Sequence, residues 1–240
     1  MGRASNPEVR VAERSESFRD DTFLTGEVVG RMSYEEFLEV AERDDRRYED
    51  VEGVVYALAT PVLRHARIAG NITAALRAVR RAGGCEVFSQ GASVRTPRGN
   101  VYVPDVIVRC GARVSDDVRH IEDPCVLVEV LSPSTTRTDL GDKRANYPEF
   151  ASLQAYLVVE QAWRCVHVYR RDASGAWPAA PVETVEGFAG EVRLPCPVGA
   201  VLTLDAIYED VDAPAERPRL RRVREEGAEA YASWEPSDEG

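Results

Sequence analysis

The sequence predicts an α/β domain built on a mixed central β-sheet flanked by helices, in the order helix, three strands, helix, strand, with an added β-hairpin. Three observations carry this expectation. Between Val62 and Ala82 the apolar residues Ile68, Ala69, Ile72, Ala75, Leu76 and Val79 keep a 3.6-residue period, the pattern of a helix with one face against a sheet. Three strand-like runs follow, at 86–95, 101–109 and 125–131, and the third is so uniformly apolar that it reads as a central strand covered on both faces. A helical stretch near 138–150 then leads into the apolar run 156–160, which a right-handed crossover would return parallel to the third strand.

The remaining elements follow in chain order. Residues 1–30 are charged and lack apolar periodicity, as expected of a mobile arm. Ser33 and Glu36 form a capping box, and Tyr34, Phe37, Leu38 and Ala41 continue it at helical spacing, so the domain is expected to occupy residues 31–211. Runs at 47–49 and 54–59 flank Asp50, Val51, Glu52 and Gly53, where glycine permits the positive φ of a tight hairpin turn. Gly83 and Gly84 end the long helix, and Thr96 to Asn100 make a turn between the first two strands. Residues 164–170 and 176–192 read as a hairpin that widens the sheet. The stretch 212–240, with its arginines and acidic end, reads as a solvated, disordered tail.

Composition narrows the function classes. With 240 residues, 44% of them hydrophobic and 30% charged, the chain suits one globular domain with a substantial core. The net charge of -11 excludes a protein that coats nucleic acid through a broad basic field, while leaving local basic patches open. No apolar run approaches the roughly 18 residues that span a bilayer, and the polar start lacks a secretory apolar stretch, so a cytoplasmic protein without a membrane partner is expected. The five cysteines, 85, 110, 125, 165 and 196, are odd in number and form no C-x-x-C pair, which favours reduced, buried thiols over a disulfide framework or a zinc site. Of the 30 basic residues, Lys143 is the one lysine. A position that keeps lysine in an otherwise all-arginine set is a candidate for chemistry that arginine cannot perform.

Two acids stand where apolar side chains are expected. Period-two counting puts Asp105 on the face of Val101, Val103 and Ile107, and Glu129 on the face of Cys125, Leu127 and Leu131. Burying a carboxylate without a partner costs several kcal/mol, so each needs neutralisation, by a shared divalent cation such as Mg²⁺ or by a buried ion pair. Pro104 removes a ladder donor and marks a splayed or edge strand with room for a ligand. Lys143 lies on the crossover helix in a stripe with Asp139 and Tyr147, as part of an exposed ion pair with Asp139 or as an ammonium that lowers the pKa of an attacking water and offsets charge on a phosphorane.

Taken together, Pro104-Asp105, the run from Val128 to Thr135, and Asp139, Lys143 and Tyr147 resemble the Uma-two family of restriction-endonuclease-like proteins, a branch of the PD-(D/E)XK phosphodiesterase superfamily. The resemblance runs from about Met32 to Asp210 and takes in Tyr48, Glu49 and His65. It implies a restriction-endonuclease-like fold and an endonuclease that hydrolyses phosphodiester bonds in nucleic acid, with DNA as the first candidate and a homodimer as a compatible state. It further implies Mg²⁺ or Mn²⁺ bound by Asp105, Glu129 and the Val130 backbone carbonyl, with Lys143 assisting the water. Glu49 enters as a supporting acid, and His65 as a phosphate contact, a proton carrier or a hydrogen-bonded structural histidine. The superfamily pattern places lysine two residues after the glutamate, where this chain has Leu131, so Lys143 would act from the helix instead. Ser132 and Thr135 order the turn or receive phosphate, and His120 and His167 have no partners evident in the sequence. The competing class is a non-catalytic nucleic-acid-binding or regulatory protein that retains the nuclease fold.

Overall fold

The computed structural model describes residues 26–43, 45–79, 84–89, 91–132 and 139–218. The described residues begin with β1 (Glu27–Arg31), α1 (Tyr34–Arg43) and the hairpin β2 (Tyr48–Val51) and β3 (Val54–Ala57). A strand therefore lies ahead of the capping box, inside the stretch expected as an arm, because β1 pairs antiparallel with β3. The capping box forms as the sequence predicts: the Ser33 N–H donates to Glu36 Oε2 at 2.8 Å, and the Glu36 N–H to Ser33 Oγ at 3.3 Å. The hairpin turn also forms, with positive φ at Glu52 (53°) and Gly53 (76°), as a tight two-residue connection requires.

After α2 (Leu63–Val79) come β4 (Cys85–Ser89), β5 (Ser93–Arg95), β6 (Val101–Tyr102), β7 (Val106–Cys110), β8 (His120–Ile121) and β9 (Val126–Val130). The first two expected strands are each broken and shared between two six-stranded sheets. One has the order β1-β3-β2-β6-β5-β8. The other runs β12-β11-β10-β9-β7-β4, where β10 is Ala155–Val159, β11 Cys165–Arg170 and β12 Glu183–Glu186. Proline explains the second break: Pro104 cannot donate to a ladder, and the chain leaves β6 in one sheet and enters β7 in the other across it. As predicted, β10 returns parallel to β9, with Val158 opposite Glu129. β11 and β12 widen the sheet antiparallel, whereas β13 (Glu191–Arg193) leaves it to pair with β14 (Val201–Thr203), ahead of the short α4 (Leu204–Ile207).

Every residue of β9 and β10 is buried, because both faces of their sheet are covered. On one face Ile68, Ile72 and Leu76 of α2 pack with Val106, Val108, Val126 and Val128, joined by Leu202, Leu204 and Ile207 from the β14–α4 end. The other face is aromatic. Tyr147 meets Tyr102 and Tyr156 edge-on, with ring centroids 5.5 and 5.1 Å apart. The crossover helix is not regular: Asp139–Lys143 is a π-type turn, Arg144–Asn146 an α turn and Tyr147–Glu149 a 3₁₀ turn, together α3. Pro148 lies inside it, and such widened turns recur at functional sites.

The cysteines depart from the expectation of reduced thiols. Cys85 faces Cys110 across the β4–β7 ladder, and these two form one disulfide while Cys125 and Cys196 form a second. Strand register brings Cys85 to Cys110, and the packing of the β13–β14 loop on the start of β9 brings Cys196 to Cys125, neither of which local sequence spacing reveals. Cys165 is free and buried, and burial pushes its thiol up to about 12. Residues 1–25, most of the expected arm, and 219–240, most of the expected tail, lie outside the described residues, as does Thr135.

Candidate active site

The two sheets meet at Lys143. Its Nζ lies 2.9 Å from Glu129 Oε1 on β9 and 3.1 Å from Glu49 Oε1 on β2, so one ammonium bridges an acid from each sheet. All three residues are buried, at 3–4% exposure. The exposed-pair alternative for Lys143 is thereby overturned; the side chain of Asp139 lies outside the described residues. The widened turn that ends at Lys143 and the following turn put Tyr147 on the same side, and its hydroxyl donates to Glu129 Oε1 at 2.7 Å. Burial and the Glu129 and Glu49 charges hold the Tyr147 hydroxyl well above its usual pKa, so it remains a donor. Glu49 Oε1 also accepts the Val103 N–H at 3.0 Å, immediately before the Pro104 bend.

Asp105 sits in that bend rather than in a strand ladder. Its Oδ2 accepts the Val130 N–H at 2.8 Å and lies 3.2 Å from His65 Nε2. Glu129 and Val130 are neighbours on β9, so adjacent residues of one strand anchor the site: Glu129 through its carboxylate, Val130 through its backbone grip on Asp105. His65 comes from the first turn of α2 and is buried, and its Nδ1 has no partner among the described residues. The structure thus groups Glu49, Glu129 and Lys143 by direct contact, and Asp105 with His65 and Val130. Ser132 lies two residues past the end of β9 and is half-buried.

A cleft of about 300 Å³ opens where Asp105 and His65 reach the surface, and it is rimmed by Arg46, Arg47 and Thr60. Arg46 and Arg47 stand on that rim beside Asp45, and Arg46 lies 3.9 Å from Glu27. Tyr147 has a direct part in the site beyond its place in the sequence stripe; its i+4 spacing from Lys143 is the signal for it. Tyr102 and Asn146 were not legible as site neighbours. The Asn146 side-chain amide donates to the Tyr102 hydroxyl at 2.8 Å, buttressing the Tyr147 ring, and this contact joins residues 44 apart in sequence.

As carboxylate and carbonyl oxygens, the donors of Asp105, Glu129 and Val130 are of the hard type that Mg²⁺ and Mn²⁺ take, and Mg²⁺ commonly uses only one or two carboxylates with water and phosphate oxygens. The donor set fits such a cation in kind. The other two histidines lie elsewhere. His167 Nε2 is 3.7 Å from Glu160, and His120 is held between Ser93 Oγ at 2.7 Å and the Tyr34 hydroxyl at 2.8 Å. Burial first, and then Arg95 and Arg119, lower the His120 pKa from 6.5 to about 4.

That shift gives an acid-stability prediction. Folded His120 stays neutral while the unfolded chain takes up a proton below about pH 6.5, so its stabilising contribution is complete above that value and is lost as pH falls toward about 4. After discounting for solvent screening of this half-buried ring, the loss is about 1–2 kcal/mol. Urea unfolding between pH 7 and 4 is expected to show a shallower acid decline in His120→Gln than in the native protein. Identical slopes would remove His120 from the account.

Three comparisons bear on this arrangement. The family model described as "Putative restriction endonuclease", Uma2, matches residues 34–203, a span that contains every site residue above. The uncharacterised protein slr1290 of Synechocystis sp. is 30% identical over 148 residues, covering 61% of this chain and 78% of that protein. The crystal structure of a "putative nuclease belonging to DUF820" from Anabaena variabilis superposes with a TM-score of 0.60 at 17% identity, covering 73% of this chain and 97% of the other. That likeness establishes a shared fold. No helix among the described residues is long and apolar enough to cross a membrane.

Proposed function

The chain belongs to the Uma2 family, and from that premise we propose that it is a metal-dependent endonuclease of the PD-(D/E)XK type which hydrolyses phosphodiester bonds in DNA. One observation carries the reading: the single lysine of the chain is buried against Glu129, and the residue after Glu129 holds Asp105 by its backbone N–H. Lys143 thus reaches Glu129 from the helix, and Asp105 is held by the next residue of the same strand, although Leu131 occupies the usual lysine position.

Asp105, Glu129 and the Val130 carbonyl are the residues that would hold Mg²⁺ or Mn²⁺, which when bound polarises a phosphoryl oxygen and makes a water nucleophilic at neutral pH. The protein's own groups perform the remaining tasks. Lys143 and Tyr147 fix the Glu129 carboxylate from one side, and the Val130 N–H and His65 fix Asp105 from the other. Partners of this kind orient carboxylates that would ligate a cation. Lys143 also supplies a compact positive charge beside the water position, and Glu49 pairs with that buried ammonium. Arg46 and Arg47 at the cleft rim would contact flanking phosphates.

The test is cleavage of plasmid DNA, single-stranded DNA and RNA by the full chain, with Mg²⁺ or Mn²⁺ against a chelator. Nicking or linearisation of plasmid that needs the metal and disappears in Glu129→Gln is expected. Metal-independent cleavage would contradict the metal-dependent reading, and no cleavage of any substrate alongside tight DNA binding would favour the non-catalytic nucleic-acid-binding alternative.

A further inference from the structure

Four of the five cysteines meet at one place. Cys85 opens β4, Cys110 closes β7, Cys125 immediately precedes β9, and Cys196 lies in the loop between β13 and β14. The sulfurs of Cys110, Cys125 and Cys196 lie within 4.8 Å of one another, and the Cys85 sulfur is bonded to that of Cys110. Among the described residues, this is the group of three or more cysteine, histidine or carboxylate ligand atoms that converges so closely. Two separate structural disulfides need no such convergence; a single tetrahedral centre does.

From this convergence we infer that the reduced protein binds one Zn²⁺ through Cys85, Cys110, Cys125 and Cys196. Zinc–sulfur bonds of about 2.3 Å in a tetrahedron put the sulfurs about 3.8 Å apart, so the bonded pairs Cys85–Cys110 and Cys125–Cys196 move apart on reduction, while Cys110 already lies within 4.8 Å of both sulfurs of the second pair. The ligands are all soft thiolates in an apolar surrounding that includes Val87, Val108, Val126 and Leu194, so the site selects zinc over the hard Mg²⁺ or Mn²⁺ of the nuclease centre. Cys85 and Cys196 are buried, and Cys110 and Cys125 are half-buried, which closes the centre while leaving a path for metal and reductant. The ligands come from four separate segments, which is why no C-x-x-C spacing announces them.

The same sulfurs have two states. Reducing the two disulfides takes four electrons and four protons from two equivalents of a dithiol, each of which becomes a disulfide; the four thiols then release four protons as Zn²⁺ binds. Either state ties down the ends of β7 and β9 opposite to the nuclease residues. Asp105 directly precedes β7 and Cys110 ends it, while Cys125 directly precedes β9 and Glu129 lies near its other end. Because β7 and β9 are antiparallel, Cys110 and Cys125 share one end of this pair and Asp105 and Glu129 the other.

The experiment is metal analysis of the full chain purified with a dithiol reductant and without chelator, followed by exchange with Co²⁺. About one zinc per chain is expected, and the cobalt form should show thiolate-to-metal charge transfer in the near ultraviolet with intense tetrahedral visible bands. Cys125→Ser and Cys196→Ser should each lower retained zinc about tenfold or more, as loss of a ligand from a closed site does. Cys165→Ser, and Asp105→Ala combined with Glu129→Ala, should retain it, which separates this centre from the nuclease reading. If the cysteine variants fail to fold, the cobalt spectrum of the native chain decides. Reduced native protein without zinc and without the charge-transfer band would overturn the inference. So would an iron–sulfur spectrum, or disulfides that resist the dithiol.

Discussion

Lys143→Met is expected to destabilise the protein by about 3–5 kcal/mol, the cost of removing one partner from a buried charge pair. The substitution keeps volume and apolar stem but takes the ammonium from between Glu49 and Glu129, leaving two carboxylates at 3% exposure facing each other. A surface lysine would show a change of about 1 kcal/mol or less. Adding Glu49→Gln to Lys143→Met should recover part of the loss, because one of the two opposed charges is then gone, and denaturant unfolding of the four proteins in that cycle measures the coupling. A loss under 1 kcal/mol in Lys143→Met would mean that the bridge between the sheets is not a structural element.

Lys143→Arg is expected to retain the fold and to lower single-turnover cleavage about a hundredfold, the scale of effect that follows displacement of a catalytic group by about 1 Å. Arginine keeps the charge, so Glu49 and Glu129 remain paired, and overpacking of the buried seat costs about 1–3 kcal/mol. What arginine cannot keep is a compact charge on a slender stem: its planar fork spreads the charge and would push against Tyr147, which holds the same Glu129 oxygen. The measurement pairs melting temperature with single-turnover cleavage. A folded variant that cleaves within a few-fold of native would assign Lys143 to structure alone.

How much of this was legible in the sequence depends on how local each signal is. The Ser33–Glu36 box, the Glu52–Gly53 turn and the α2 periodicity involve residues a few positions apart, and each appears where the sequence places it. The parallel return of β10 beside β9 was legible too, since an apolar strand, a crossover and a second apolar strand admit few topologies. Strand breaks were not. Period two tells which face a side chain takes but not to which sheet its backbone bonds, so the runs at 86–95 and 101–109 read as single strands although each serves two sheets. The pairing of Cys85 with Cys110 and of β1 with β3 rests on register between distant segments, and that of Cys125 with Cys196 on a distant loop, for which one sequence carries no local mark.

The candidate site was legible by residue type and not by arrangement. Asp105 and Glu129 stood out as acids in apolar strands, and Lys143 as the one lysine. That Lys143 bridges Glu49 and Glu129 follows from a helix widened by a π-type turn and from two sheets meeting over it, neither of which a 3.6-residue stripe foresees. The bend at Asp105 follows from Pro104, which the sequence did mark, and the bend delivers the carboxylate to the Val130 N–H and His65.

The central claim is that Asp105 and Glu129 act together on one divalent cation, and titration calorimetry with Mn²⁺ tests it most directly. Native protein is expected to bind about one Mn²⁺, because two carboxylates and a carbonyl make a hard-oxygen site, and the Asp105→Ala, Glu129→Ala double variant is expected to bind none at that site. Melting curves should accompany the titration, since Glu129→Ala removes an acceptor from Lys143 and Tyr147. Equal Mn²⁺ binding by the native protein and a folded double variant would contradict the claim.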